Sequence, residues 1–370
     1  MADMPGNFEP YFWDRIVLQF SHRYPTILQS LIALSAIYEE HERGSRDPMR
    51  ASSELMYDDY ALQQYNKAVK DLLEYLASDE QDPRVALTAC LIFVWIEFLQ
   101  HNLNSGFQHL NCGLKILRDV RIVTSPQHNA WIQDRDAEDI LGSLDRSFTR
   151  LRIQAAVHGS QGSDFTTSTT RELETLEPIP LSFSNIFESR NALDNELNAI
   201  FGYIRRLREI GYYSSVDMLM FTNIQRGHIE RLQQWQIATK AMVSDIESKR
   251  DQSQTSGILY LQLYYTLVTI IWKTMFAGSE MVFDDYTTDF ETIITICSSL
   301  ISDPKSTAAP ILSFDMGIIP PLFFLCVKCR VLLIRKQGIT LLKRAPEREG
   351  MWHRDSIVHY CEWKVSTEEK

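Results

Sequence analysis

Asp82-Pro-Arg-Val-Ala-Leu-Thr-Ala-Cys-Leu-Ile-Phe-Val-Trp-Ile-Glu-Phe-Leu-Gln100 is the stretch that decides the fold class. Asp82 suits an N-cap, because its carboxylate accepts from backbone N–H groups that a first helical turn leaves unpaired. Pro83 follows at the first helical position, where a missing N–H costs nothing. From Arg84 to about His101 the only polar members before His101 are Arg84, Thr88, Glu97 and Gln100. A helix apolar nearly all round needs neighbours on every side. The run predicts a central helix, and the rest of the chain must supply the helices packed around it.

Working outward, helical periodicity continues in both directions. Upstream, Pro10 to about Arg23 places Phe12, Ile16, Val17 and Phe20 on one face, and Pro25 opens a second helix that ends near Gly44. Tyr60 to Leu76 predicts a third, with Val69, Leu72, Leu73 and Leu76 inward. Downstream come Gly106–Arg121 and Asp136–His158, then Phe187–Ile210 and about Asn223–Lys249, the last with Ile229, Leu232, Ile237 and Ile246 apolar. Ile258–Phe276, a helix led by Asp284 and Asp285, Leu322–Gln337, Thr340–Arg344 and Met351–Trp363 complete the chain. No stretch alternates like a strand between hairpin turns. The expectation is an all-α protein, an array of antiparallel helical hairpins forming one large helical domain, joined by short connections. Gly159 to Pro180 is the main break in pattern, rich in Gly, Ser and Thr. It predicts an N-terminal half at 1–158, a linker at 159–183 and a C-terminal half at 184–370.

Bulk properties exclude several classes. The 370 residues carry 37 Lys and Arg against 48 Asp and Glu, a formal net charge of −11. Non-specific nucleic-acid binding is driven by cations that displace counterions, so an acidic chain binds poorly unless its positive charge is clustered. The best clusters are Arg205-Arg206-x-Arg208 and the run from Lys328 to Lys343, which also holds Arg330, Arg335 and Lys336. Both sit at helical spacing and read as solvated helix faces. No direct DNA binding is expected from this chain alone. Met1 is followed by Asp3, Pro5, Glu9 and Pro10 rather than by a basic then apolar run, so no secretory signal is read. No membrane association is expected, and the six cysteines should be reduced thiols.

Several constellations invite a chemical reading. Cys326-x-x-Cys329 would place two sulfurs on one helix face, but no second pair exists to complete a four-ligand zinc site. His101 and His109 could meet across a helical hairpin, while His353 and His359 are poorly spaced to share a ligand. Glu97, alone in an apolar helix, reads as a structural hydrogen-bond acceptor rather than a catalytic acid. Trp95, Tyr264, Tyr265 and Trp272 could line a small-molecule pocket, though at helical spacing they read first as core. Gly-rich phosphate loops, nucleophile elbows and zinc-protease motifs are missing from the sequence. No catalytic, cofactor-binding or metal-binding residue is assigned, and no cofactor is expected.

Three stretches then carry a resemblance. The first is Tyr11-Phe-Trp-Asp-Arg-Ile-Val-Leu-Gln-Phe-Ser-His22, leading into Leu31-Ile-Ala-Leu-Ser-Ala-Ile-Tyr-Glu39. The second is Tyr65-Asn-Lys-Ala-Val69 with the central helix and Phe107-Gln-His-Leu-Asn-Cys-Gly-Leu-Lys-Ile-Leu117. The third is Ile319-Pro-Pro-Leu-Phe-Phe-Leu-Cys-Val-Lys-Cys-Arg330, closing with Ala345-Pro-Glu-Arg-Glu-Gly-Met-Trp352. In order and spacing they resemble the C-terminal regulatory domain of fungal zinc-cluster transcription factors. The six-cysteine zinc cluster of that family is missing from this sequence. The resemblance implies a nuclear regulator of transcription that works through other proteins, such as the transcription machinery or co-regulators, with a small-molecule effector possible. The alternative reading is a helical enzyme or a small-molecule-binding protein with a buried pocket.

Overall fold

The computed structural model describes residues 12–46, 59–78, 81–123, 135–158, 178–210, 215–248, 255–302, 312–313 and 315–369. The class is all-α. The chain divides into two compact units, the first reaching Ala155 and the second running from Thr166 to Lys370, with short pieces exchanged between residues 156 and 165. Most of the expected linker, residues 159–177, lies outside the described residues.

In the first unit a π-helical segment, Phe12–Val17, runs into α1 (Leu18–Arg23). Next come α2 (Pro25–Arg46), α3 (Asp59–Leu76), α4 (Pro83–Leu99), α5 (Leu103–Val123) and α6 (Arg135–Val157). Helices α2 and α3 pack together, as do α4 and α5, and α2 also lies on α4. Helix α4 is the central helix: every residue from Val85 to Leu99 is buried. Its start is as read, with Asp82 Oδ1 accepting from Arg84 N–H at 2.9 Å. Its end was not foreseen. His101 adopts φ 61°, its N–H bonds to Phe98 O, and Asn102 N–H reaches back to Glu97 O. These bonds close the helix in a Schellman motif whose left-handed position holds a histidine instead of the usual glycine. His41 from α2 adds a 2.8 Å bond to Leu99 O. At Gly113 on α5 even a Cβ would run into the Phe148 ring of α6, so only glycine allows that approach.

The expected inward face of α3 needs correction. Leu73 and Leu76 are exposed, and the buried line runs through Ala61 and Ala68 with Tyr65, Leu72 and Tyr75 half-buried. Small residues win the inward positions because α2 approaches closely there: Thr26 Oγ1 donates to Ala68 O at 2.9 Å.

The second unit contains α7 (Ile186–Ile210), α8 (Ser215–Ser248) and α9 (Thr255–Thr274), which pack on one another. A 3₁₀ segment, Glu280–Tyr286, leads to α10 (Thr287–Ser302). Strand β1 (Leu312–Ser313), α11 (Ile319–Lys328), α12 (Leu332–Leu342), β2 (Arg348–Glu349), β3 (Trp352–His353) and α13 (Arg354–Glu368) follow. The single helix expected over Leu322–Gln337 is two: Cys329 and Val331 are extended between α11 and α12. The pair folds back because Gly338 admits Leu325 and Cys326 against its backbone, where a Cβ would sit under 3.0 Å from both. Ile237, one of the apolar positions of α8, is exposed. The inward line is instead Phe221, Gln225, His228, Leu232, Trp235, Thr239, Met242 and Ile246, spaced alternately four and three apart. That seam includes three polar residues, which hydropathy alone would assign to solvent.

The three short strands form one small sheet, β1 parallel to β2 and β2 antiparallel to β3. Gly350 at φ 58° makes the two-residue turn between β2 and β3, a conformation that favours glycine.

Candidate functional site

The polar groups that stand out are buried between α7, α8 and α9. Helix α7 buries Ser189, Arg190, Asp194 and Glu196, each at most 2% exposed. Ser189 meets α8 twice: its carbonyl accepts from Trp235 Nε1 at 2.8 Å, and its hydroxyl lies 2.8 Å from Thr239 Oγ1. One turn of helix brings Arg190 Nε to Asp194 Oδ1 at 2.7 Å. The Arg190 guanidinium also lies over the Tyr264 ring of α9, 5.0 Å from its centroid. Tyr264 donates in turn to Gly317 O at 2.9 Å, and burial pushes its phenol well above the usual range.

Further along α7, Glu196 is fully buried. Its Oε2 is 2.6 Å from His228 Nδ1 and its Oε1 accepts from Arg231 Nε at 2.7 Å, both from α8. The His228 ring stacks on Trp272 of α9, centroids 4.3 Å apart and planes 12° from parallel. Gln225 closes the layer by donating to Trp272 O at 2.6 Å. Glu196 therefore ties α7 to α8 through both of its oxygens, and His228 carries the contact on to α9 by stacking on Trp272. Isolated charges would be very costly here, and pairing is what makes their burial tolerable. The arrangement positions helices.

A third carboxylate does similar work beside Gly317, the residue that Tyr264 binds. Glu349 on β2 accepts from the backbone N–H groups of Gly317, Ile318 and Ile319, at 3.1, 3.0 and 2.7 Å. These are the donors that the start of α11 leaves free, and the helix dipole favours negative charge there. A Cβ at Gly317 would collide with the carboxylate. Burial pushes Glu349 up to about 7, against the pull of the three donors.

In the first unit Glu97 is the acceptor the sequence suggested. Tyr65 on α3 donates to its Oε1 at 2.7 Å, and His109 on α5 lies 3.1 Å from the same hydroxyl. Burial raises the Tyr65 phenol far above its ordinary value, with the Glu97 hydrogen bond adding to it. Burial lowers His109, opposed by the Glu97 charge. His109 is thus joined to Tyr65 and Glu97, while the histidine ring facing His101 is His41, at 6.2 Å.

The remaining sequence candidates are dispersed. Cys329 has left the helix that carries Cys326, whose free thiol donates to Arg335 O at 3.7 Å, and Cys326 and Cys361 on α13 are both fully buried. The neighbouring Cys361 thiol and burial raise Cys326 well above a free thiol. His353 caps α13 and His359 lies exposed on it. Trp272 and Tyr264 are core, as their spacing suggested, and Trp95 is buried in α4. Tyr265 stacks on Trp235, 5.3 Å away. Among the described residues no group of three or more His, Cys, Asp or Glu could hold a metal ion. No helix among them is long and apolar enough to cross a membrane.

The basic run from Lys328 to Lys343 is largely neutralised. Lys328 pairs with Glu280, Arg330 with Asp284 and Lys343 with Glu362, each at 2.7 Å, and Arg335 with Glu368 at 2.6 Å.

Comparison with known proteins places this architecture. The profile described as "Fungal specific transcription factor domain" matches residues 6–330. The chain belongs to that family. The fungal transcription factor domain here is also similar to the aspercryptin biosynthesis cluster-specific transcription regulator atnN of Emericella nidulans. The two are 20% identical over 384 residues, covering 81% of this chain and 61% of the relative's length. No solved structure matches the domain.

Proposed function

We propose that this domain regulates transcription in the nucleus by contacting other proteins, without reading DNA itself and without catalysis. The observation that carries the reading is the pairing of four of the five basic residues in its strongest basic run, Lys328, Arg330, Arg335 and Lys343, with Glu280, Asp284, Glu368 and Glu362. A phosphate backbone recruits free cations, and these are already engaged by carboxylates on a chain of net charge −11. The core carboxylates Asp194, Glu196 and Glu349 are likewise spent on helix positioning rather than aimed at a substrate. The similarity to a cluster-specific transcription regulator supports the regulatory part. The test is a fluorescence-anisotropy titration of the chain on random and promoter-derived duplexes at rising salt. Weak, sequence-independent binding that vanishes as salt passes physiological strength is expected. Tight sequence-dependent binding at physiological salt would refute the proposal.

A further inference from the structure

Helices α4 and α5 form an antiparallel hairpin, and three pairs of side chains fix how they face each other. Phe107 of α5 packs edge-on against Phe98 of α4, with centroids 5.7 Å apart. Further from the turn, His109 lies 4.0 Å from Glu97, and its ring is 5.3 Å from that of Phe93. Residues three apart on a helix share a face. Three residues back on α4 from Phe93 and three forward on α5 from His109, the next facing pair is Cys90 and Cys112. They are near enough for the Cys112 charge to add to the burial that pushes the Cys90 thiol up to about 12. Both thiols are free, yet they differ in access: Cys112 is exposed, whereas Cys90 is buried in the central helix.

We propose that Cys112 and Cys90 form a hydroperoxide-responsive pair, Cys112 taking the oxidant and Cys90 resolving it as a disulfide across the α4–α5 hairpin. Cys112 reacts first because it meets solvent, whereas Cys90 is screened and held as the thiol, the unreactive form. The Cys112 sulfur attacks one peroxide oxygen. An S–O bond forms, the O–O bond breaks, and the thiol proton leaves with the other oxygen as an alcohol, or as water from hydrogen peroxide. The Cys90 sulfur then attacks the sulfenic Cys112 sulfur. An S–S bond forms, the S–O bond breaks, and the Cys90 proton leaves with the hydroxide as water. The two thiols are oxidised and the peroxide is reduced. A disulfide needs Cα atoms within about 7 Å of each other, so the bond draws α5 onto α4 at this layer. The hairpin already closes that tightly nearer its turn, where a Cβ at Gly106 would stand 2.5 Å from the Phe98 ring. Cys326 and Cys361 also neighbour each other, but both are fully buried, so neither offers the first thiol. A transient sensor disulfide is the kind a reducing compartment permits. This chemistry goes beyond the regulatory reading and does not depend on it.

The test treats the reduced full chain with a modest excess of hydrogen peroxide, then unfolds it in an alkylating agent and maps the cysteines by mass. Trypsin releases both residues in one peptide, Val85–Lys115, because no Lys or Arg lies between Arg84 and Lys115. That peptide should lose both alkyl groups, appear lighter by two hydrogens than its reduced form, and recover fully on treatment with dithiothreitol. Cys326 and Cys361 should stay alkylated. Cys90→Ala should leave Cys112 as a sulfenic acid that dimedone traps, and Cys112→Ser should leave Cys90 fully alkylated. The unmodified chain decides the pairing by itself, so the result stands even where Cys90→Ala lowers stability. Val85–Lys115 still carrying both alkyl groups, Cys112 oxidised while Cys90 stays alkylated, chains linked to one another through Cys112, or Cys326 and Cys361 oxidised first would overturn the proposal.

Discussion

Helix α4 is buried on every side and α7 along the face that meets its neighbours, and they reach burial by opposite routes. Helix α4 is apolar all round and holds one carboxylate, Glu97, satisfied by a tyrosine from a neighbouring helix. Helix α7 buries an arginine, an aspartate, a glutamate and a serine on the sides that meet α8 and α9. Apolar burial is non-directional and tolerates small shifts of neighbouring helices. Paired charges are directional, so α7 fixes where α8 and α9 sit and leaves them few alternative registers. Helix α4 is held chiefly by area, and α7 by area plus a set of geometric locks.

The largest expected effect follows from breaking one of those locks. Glu196→Ala leaves His228 and Arg231 without their shared acceptor inside the second unit. Removing one partner of a buried ionic pair typically costs about 3–5 kcal/mol. Denaturant unfolding should show a loss of that size, together with a changed Trp272 fluorescence as the stacked His228 is released. A loss under about 1 kcal/mol, the size of an exposed pair, would remove the distinction between the two helices.

A pH dependence sharpens the same contrast. Glu349 is raised from 4.5 to about 7, because burial outweighs its three backbone donors. Between those values the folded protein keeps a proton that the unfolded chain has released. Stability is therefore greatest below the lower value, falls as pH rises toward about 7, and levels off above it. Tyr264 and Cys297, which feel the Glu349 charge, are both pushed upward and ionise above that window. Glu349→Gln should flatten the decline in melting midpoint between about pH 5 and 7. An unchanged slope would mean that the donors at the start of α11 hold the carboxylate ionised throughout.

The smallest of these effects belongs to α4. Tyr65→Phe removes the hydroxyl that satisfies Glu97 while keeping the ring packed on Phe93. A loss of about 1–3 kcal/mol is expected, the cost of leaving one buried acceptor short of a donor. Thermal unfolding of the variant with no measurable change would show that solvent or His109 already supplies that bond.

The difference between α4 and α7 also explains what could be read in advance. Asp82-Pro83 and the apolar run after it announced α4 and its cap, and Glu97 was legible as a lone polar residue in an apolar helix. The positions of Arg190, Asp194 and Glu196 were not legible, since paired charges on a buried face have the same letters as solvated ones. The signal available was weak: Arg190 and Asp194 are one turn apart, and His228 falls in the four-three seam of α8. Leu73 and Leu76 misled in the other direction. Apolar periodicity was present on α3, but close approach by α2 gave the inward stripe to Ala61 and Ala68. The left-handed His101 was hidden because a histidine stands where a glycine usually marks the helix end.

The central claim is that the domain regulates transcription through protein contacts. Its most direct test is a reporter assay with the chain fused to a foreign DNA-binding domain, expressed in a fungal host with the reporter behind that domain's site. Output clearly above or below that of the foreign domain alone is expected, together with a co-regulator recovered by affinity capture from the same cells. Output equal to the foreign domain alone, with no such protein recovered, would contradict the account.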